Sequence, residues 1–214
     1  MEMCIKMETK IKNSEMSGKM AGLGSINTNT LSNPFCQKMR NCDKAICSKC
    51  YSGYMLETFR KSAVNRFEIH SQLLSNSILE KNQFPNYTNF KYVRLHSHGE
   101  LINKTHMDNY INLCNYYPNT TFALWTKRKS LVMGIVDKPD NLIIVFSNPI
   151  VDKPIKTVPT GFDKVFNVLS QDWVMLHYVA INCGSKSCIG CLNCYKTDTE
   201  KVIYEQLKVY KKKD

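Results

Sequence analysis

The chain has 214 residues, of which 43% are apolar and 22% are charged, and this composition excludes a disordered or collagen-like protein. No apolar run approaches the roughly 20 residues that a membrane-spanning helix needs, and the polar start lacks the apolar segment of a secretory signal. The net charge of +11 is compatible with nucleic-acid binding, but lysine far outnumbers arginine, so a basic solvent-exposed surface is the simpler interpretation. We therefore expect a cytoplasmic globular protein without a membrane partner.

Strands and helices are predicted to alternate along the chain. Residues 1–20 have no firm pattern and are expected to form a flexible N-terminal arm, followed by a single α/β domain over residues 21–214. The apolar and turn patterns predict, in chain order, a strand at 23–28, one or two helices within 53–80, a strand at 92–96, a helix at 104–116, a strand at 120–126, a short helix at 127–136, strands at 141–147, 165–168 and 177–181, and a final helix at 199–211. This alternation predicts a parallel sheet with right-handed crossovers.

The ten cysteines are the most informative residues of the chain. Cys4 and Cys114 stand apart, whereas the other eight form one group at residues 36–50 and another at residues 183–194. Disulfide bonds are not expected without an export signal, and clustered thiols in a reducing compartment are typical metal ligands. The predicted metal ligands are Cys36, Cys42, Cys47, Cys50, Cys183, Cys188, Cys191 and Cys194.

The spacing within each group indicates which metal to expect. The second group is Cys183-x4-Cys188-x2-Cys191-x2-Cys194, and three cysteines separated by two residues each are typical of a 4Fe–4S cluster. Zinc sites more often combine two separated Cys-x2-Cys pairs. The first group, Cys36-x5-Cys42-x4-Cys47-x2-Cys50, would bind its own cluster, share one with the second group, or form a structural zinc knuckle. One or two clusters are therefore expected, with zinc as the alternative.

Polar side chains follow the second predicted strand. Arg94 and His96 are expected to face one side of the sheet, with His98 and Glu100 in the loop at its carboxyl end. Because active sites of parallel α/β folds lie at that end, we predict His96, His98 and Glu100 as catalytic residues. The alternative is a hydrogen-bonded core histidine at position 96 and a solvent-exposed one at position 98.

The next predicted strand ends in Trp125-Thr126-Lys127-Arg128. Adjacent aromatic and basic side chains can stack on a base or bind a phosphate, so a nucleic-acid partner is possible. In the alternative interpretation, Trp125 belongs to the core and the two basic side chains begin a solvated helix.

Four segments together carry a resemblance to a known family. They are Cys47-Ser48-Lys49-Cys50-Tyr51, Val93-Arg94-Leu95-His96-Ser97-His98-Gly99-Glu100, Phe122-Ala123-Leu124-Trp125-Thr126-Lys127 and the terminal cysteine group. The chain resembles, over roughly residues 25–195, the phage and mobile-element family called gene product 88. The resemblance implies a phage-encoded protein of the host cytoplasm and gives almost no biochemical function.

A more distant resemblance concerns chemistry. Cys42-x4-Cys47-x2-Cys50 followed by His98-Gly99-Glu100 is similar in order to radical S-adenosylmethionine enzymes, which have a three-cysteine loop after the first strand and a Gly-Gly-Glu turn after the second. This similarity implies a partial or irregular (β/α) barrel with cysteine-rich metal-binding loops near both ends, and contacts of Gly99 and Glu100 to S-adenosylmethionine. A fourth ligand, Cys36, would close the cluster, and a closed site favours structure or electron transfer over catalysis.

The expected function is therefore that of a 4Fe–4S protein with redox or radical chemistry, acting on an unidentified substrate or redox partner. The alternative is a zinc-stabilised nucleic-acid-binding module. Steep loss of affinity with salt would distinguish nucleic-acid binding from the redox functions.

Overall fold

The computed structural model describes residues 10–208 and contains a six-stranded sheet in which every neighbouring pair of strands is parallel. The strands lie in chain order across the sheet: β1 (Gly24–Ile26), β2 (Tyr92–Leu95), β3 (Thr121–Thr126), β4 (Leu142–Ser147), β5 (Lys164–Leu169) and β6 (Val202–Gln206). The predicted α/β class with a parallel sheet is thus confirmed.

Seven α-helices in the described residues connect or flank these strands. They are α1 (Pro34–Arg40), α2 (Tyr51–Glu57), α3 (Val64–Asn76), α4 (Lys104–Tyr116), α5 (Lys129–Met133), α6 (Gln171–His177) and α7 (Cys188–Cys191). No helix within residues 10–208 has both the length and the apolar character that crossing a membrane requires.

The two faces of the sheet have different coverings. Because side chains alternate along a strand, Val93 and Leu95 of β2 pack with α3 and α4, as do Phe122 and Leu124 of β3. The opposite face carries a second apolar cluster, which includes residues of β3 and β4 together with the second cysteine segment: Leu23, Ala123, Trp125, Ile143, Val145 and Tyr195. A sheet covered on both faces explains the nearly continuous apolar run of β4.

The N-terminal segment contributes to this packing. Of the predicted arm 1–20, residues 1–9 lie outside the described residues. In the remainder, Ile11 is buried, and the Ser14 N–H donates a hydrogen bond to Ser25 O (2.8 Å) beside β1. Residues of this segment therefore pack against the sheet.

Two predicted elements near the C-terminus are wrong. The predicted helix at 199–211 contains β6 instead, because its backbone pairs with β5 in the register Val165↔Val202 to Leu169↔Gln206. The predicted strand at 177–181 begins at the last residue of α6, and Tyr178 ends that helix with a left-handed φ of 51°. Short apolar runs fit the helical and the strand period equally well, and hydrogen bonding to a neighbouring strand decides between them.

Candidate functional site

A cavity of about 380 Å³ lies where the second apolar face of the sheet meets the carboxyl ends of the strands. Both cysteine groups contribute to its wall, with the thiol-bearing residues Cys36, Cys47, Cys50, Cys183, Cys188, Cys191 and Cys194. Segments separated by more than a hundred residues of sequence therefore meet around one space. This cavity is the candidate functional site.

The first cysteine segment follows β1 and is organised by helix starts. Asn33 caps α1 by accepting hydrogen bonds from two backbone N–H groups, at 3.0 and 3.2 Å, and so fixes Cys36 in the first turn. Cys47 lies in the 3-10 turn Ile46–Lys49. Cys50 caps α2, and its Sγ accepts a hydrogen bond from a backbone N–H of that helix at 3.4 Å.

These three thiols share an electrostatic environment with Lys127. Burial raises the pKa of Cys36 and of Cys47, while the Lys127 ammonium opposes the rise by favouring the thiolates. Burial lowers the pKa of Lys127, but the charges of Cys47, Glu100 and the other thiolates outweigh it, so the net shift is upward. Lys127 Nζ also donates to a hydroxyl at the end of β4 (3.1 Å). A cation is therefore held beside the first group of thiols.

The remaining cysteines lie elsewhere. Cys42 is exposed and has no part in the cavity wall, although it follows Cys36 by only six positions. Cys114 is buried in α4 within the core, as expected for a small core residue, and Cys4 lies outside the described residues. The structure thus separates Cys42 from the other members of its predicted group.

The second cysteine segment crosses the sheet face between β5 and β6. Helix α7 carries Cys188 and Cys191, and Ser187 caps it by accepting a hydrogen bond from the Gly190 N–H (3.2 Å). Tyr195, which follows the last cysteine, packs edge-on against Trp125 with ring centroids 6.0 Å apart. This aromatic contact anchors the segment over the centre of the sheet.

Two cations accompany the second group of thiols. Lys19 Nζ lies 3.4 Å from Cys183 Sγ and donates to it. Arg94 stacks over the Trp125 ring, with its guanidinium carbon 3.9 Å from the ring centroid, and its charge acts on Cys194. Burial raises the pKa of Cys194 to about 12, and Arg94 opposes this rise.

The loop after β2 is held by polar contacts to the loop after β1. The Asn27 side-chain oxygen accepts hydrogen bonds from the N–H groups of Ser97 and His98, both at 2.9 Å. Gly99 adopts a φ of +87°, and a Cβ there would overlap the hydroxyl of Thr28. The glycine predicted to contact a cofactor is therefore required by the turn itself.

His96 lies at the boundary between the cavity and the helical layer. It lines the cavity, yet its Nε2 faces the Tyr110 hydroxyl (3.0 Å) and His106 Nε2 (3.4 Å) of α4. The Ile102 N–H donates to His106 Nδ1 (3.3 Å), which leaves the proton of a neutral His106 on Nε2, facing His96. Burial lowers the pKa of His96 to about 3, so this imidazole is neutral at physiological pH.

His98 and Glu100 make internal contacts. His98 Nδ1 lies 2.8 Å from Ser52 Oγ, and its ring packs against Phe67. The Glu100 carboxylate lines the cavity but accepts hydrogen bonds from Thr126 Oγ1 (2.6 Å), Lys127 N (2.9 Å) and its neighbouring N–H at position 101 (2.8 Å). The structure places Glu100 and His96 at the cavity and His98 behind its wall. Their predicted catalytic roles stay predictions.

The basic side chains predicted to contact nucleic acid are engaged inside the protein. Arg128 Nη1 donates to the backbone carbonyls of Leu101 (3.0 Å) and Ile102 (3.2 Å), and Lys127 faces the first cysteine group. Trp125 is buried beneath Arg94. These positions agree with the core interpretation of Trp125 and leave the nucleic-acid hypothesis without a supporting surface at this segment.

The thiols do not converge on a single point. Within residues 10–208, no three His, Cys, Asp or Glu side chains are close enough together to ligate one metal ion. The cysteines of the cavity wall instead form two subsets, one from the first cysteine group and one from the second. Lys127 lies beside the first subset, and Lys19 and Arg94 lie beside the second.

Comparison with known protein families shows to which family the chain belongs. The family described as gene product 88 matches residues 4–204, which include both cysteine groups, the first five strands, the start of β6 and the loop at residues 96–100. The chain belongs to the gene product 88 family. This match confirms the resemblance to a phage protein family, while the radical S-adenosylmethionine resemblance stays a hypothesis. Comparison with curated proteins found no match, and neither did comparison with solved structures.

Several residues at the site of this gene product 88 member could not be identified from its sequence. Lys19 lies in the segment without a recognisable pattern, and Asn27 is one of many polar loop residues. Tyr195 directly follows the last cysteine, and that adjacency was the one available signal. Lys127 was singled out by its motif, but for contact with nucleic acid rather than with thiols.

Proposed function

We propose that this gene product 88 member is an iron–sulfur protein in which Cys36, Cys47 and Cys50 bind a 4Fe–4S cluster that has one iron open to the cavity. The observation that carries the proposal is the presence of these three thiols in one cavity wall, together with the Lys127 ammonium. Soft thiolates are the usual ligands of such clusters. Thiolates that hold a cluster bind different iron atoms, so they need not converge on one point.

The proposed ligand set differs from the one implied by the radical-enzyme resemblance. That resemblance uses Cys42-x4-Cys47-x2-Cys50, whereas we propose Cys36-x10-Cys47-x2-Cys50. Cys36 faces the cavity from the first turn of α1, and Cys42 is exposed outside it. A set of three ligands leaves one position for a substrate or cofactor, whereas four would close the site.

Charge supports the same location. Clusters held by thiolates are anionic, and a buried anion needs a nearby cation. Lys127 supplies this charge beside Cys36 and Cys47. We propose that Lys127 neutralises the loaded site and is not a general base.

The sheet supports a barrel-like enclosure for this site. Six parallel strands in chain order, with α3 and α4 on one face, have the connectivity of a (β/α) barrel. We propose that the opposite face forms the interior of a partial barrel whose carboxyl end is the cavity. Active sites of such folds lie at that end.

We propose S-adenosylmethionine as the small molecule that the cavity accepts. Its volume of about 380 Å³ lies within the range for pockets that hold small ligands. Gly99 and Glu100 line the same cavity as the three proposed ligands. When bound, a cluster with an open iron supplies one-electron reduction at that iron. The chain itself would bind and orient the ligand and exclude water.

The test is metal analysis of anaerobically prepared protein with two matched single variants. Cys36→Ala should lose about four iron atoms and as many sulfides per chain, whereas Cys42→Ala should lose none. Loss in the Cys42 variant with retention in the Cys36 variant would refute the ligand set. Zinc without sulfide would refute the iron–sulfur proposal and favour the zinc-stabilised nucleic-acid-binding alternative.

A second measurement tests the radical chemistry. In protein reduced with dithionite, one electron should break the sulfur–C5′ bond of S-adenosylmethionine and release methionine. The 5′-deoxyadenosyl radical should then take a hydrogen atom from a C–H donor in the mixture and give 5′-deoxyadenosine. An intact cluster that yields neither product would limit the function to electron transfer.

A further inference from the structure

We propose that Cys183, Cys188, Cys191 and Cys194 bind a second 4Fe–4S cluster, with all four irons ligated by protein. This site extends the proposed function but shares none of its ligands. The four thiols belong to one segment of the chain, and all four residues line the same cavity.

Buried polar atoms without partners indicate that this site is built for a ligand. Tyr195 is only 4% exposed, lines the cavity, and its hydroxyl has no hydrogen-bond partner among residues 10–208. Arg94 Nε is likewise buried without a partner in the described part of the chain. Buried donors are nearly always satisfied in folded proteins, so two orphans at one place are informative.

Both orphan donors lie near the thiols. Cys188 and Cys194 pack against the apolar cluster that contains Tyr195. Arg94 stacks over Trp125 of the same cluster, with its guanidinium carbon 3.9 Å from the ring centroid. The sulfur atoms of an iron–sulfur cluster accept hydrogen bonds, and such bonds adjust its reduction potential. A cluster at this position would therefore satisfy donors that the protein leaves unpaired.

The cations distinguish the two sites. Lys19 contacts Cys183 and Arg94 lies by Cys194, whereas the first group has Lys127. Each group of thiols thus has its own counter-charge and can hold its own anionic cluster. One cluster shared between the groups would not need two separate sets of cations.

Full coordination limits what the second cluster can do. Four thiolates leave no iron free for a substrate, so this site can gain or lose one electron but cannot bind a ligand. The electron would come from a low-potential one-electron donor, for which dithionite substitutes in the test. The second cluster is then a relay beside the open one.

The experiment compares two triple variants of the full chain, prepared anaerobically. Wild-type protein should contain about eight iron atoms and eight sulfides, and each variant about four. The first variant replaces Cys188, Cys191 and Cys194 with Ala, and the second replaces Cys36, Cys47 and Cys50. After dithionite reduction, S-adenosylmethionine should alter the electron paramagnetic resonance signal of the first variant and leave that of the second unchanged.

The outcomes separate this inference from the proposed function. About four irons in wild-type protein, retained without Cys188, Cys191 and Cys194, would overturn the second cluster and leave the first. About four irons that are lost in that variant but retained in the other would overturn the first site alone. Zinc without sulfide in the variant that lacks the first group would also overturn the second cluster.

Single changes test the site without removing a thiol. Tyr195→Phe and Arg94→Gln should each lower the reduction potential of the second cluster, because a lost hydrogen bond destabilises the more negative reduced state. Iron content should be unchanged, and Tyr178→Phe, at a 94% exposed residue, should change neither quantity. An unaltered potential in both test variants would contradict the assigned contacts.

Discussion

Acid should destabilise this protein because buried imidazoles, among them those of His96, His98 and His106, must stay neutral in the folded state. Burial lowers the pKa of His96 to about 3, that of His98 to about 4, and that of His106 well below its ordinary value. The unfolded chain binds protons at these positions below about pH 6.5, while the folded protein excludes them. The stabilisation is therefore complete above pH 6.5 and is lost as the pH falls toward 3 to 4.

The magnitude follows from the number of excluded protons. Each imidazole lowers the free energy of unfolding by about 2 kcal/mol when the pH falls from 8 to 5. His96, His98 and His106 together therefore lower it by about 6 kcal/mol. This loss is comparable to the whole stability of many domains. Urea unfolding at a series of pH values, under anaerobic conditions, measures the loss directly.

A matched pair of variants assigns the effect. His106→Gln should lower stability at pH 8 but should also reduce the loss of stability between pH 8 and pH 5 by about 2 kcal/mol, because one proton is removed from the linkage. His177→Gln, at an exposed position, should leave the dependence unchanged. If wild-type stability falls by less than about 2 kcal/mol from pH 8 to pH 5, the assignment of three neutral buried imidazoles is refuted.

Three further changes test the loops that form the cavity wall. Gly99→Ala should destabilise the protein by about 2 kcal/mol or more in chemical denaturation. The reason is that the φ of Gly99 is +87° and that a Cβ there would approach Thr28 O to 2.8 Å. The control is Gly134→Ala, because the nearest contact of a Cβ at that position would be 3.8 Å. Glu100→Gln should cost about 1–3 kcal/mol in the same assay, since the amide cannot accept all the hydrogen bonds of the carboxylate, and an unchanged midpoint would contradict its structural role. Asn27→Ala should lower the free energy of unfolding by a similar amount, about 1–3 kcal/mol. It should also accelerate amide hydrogen exchange at positions 97 and 98, and unchanged exchange there would argue against the two hydrogen bonds of Asn27.

The sheet was predictable where strands are long or wholly apolar. The run from Leu142 to Phe146 and the segment after Thr120 predict strands that the structure contains as β4 and β3. Residues around Val202 were assigned to a helix because a short run with apolar positions fits either period. Only the backbone partner provided by β5 determines that this segment is a strand.

The candidate site was predictable by residue type more than by arrangement. Cysteine spacing identifies both groups but does not distinguish Cys36 from Cys42. Cys36 lies in the first turn of α1, which Asn33 caps, and lines the cavity, whereas Cys42 follows the helix and is exposed. Local sequence likewise does not indicate that the Glu100 carboxylate accepts hydrogen bonds from residues at the end of β3. Such choices depend on contacts between segments distant in sequence.

Three of the basic side chains of this chain lie at the cavity, where they can neutralise a bound anion. Lys19, Arg94 and Lys127 all line the cavity, each beside thiols, although the composition alone favours a basic outer surface. Holding these charges at a partly buried wall without anions would be costly, and thiols whose pKa values are raised by burial leave Glu100 and Glu205 as the acidic side chains that line the cavity. A bound anionic cluster would supply the missing negative charge and convert its binding free energy into folding free energy. Loading the two proposed sites is therefore expected to raise the free energy of unfolding.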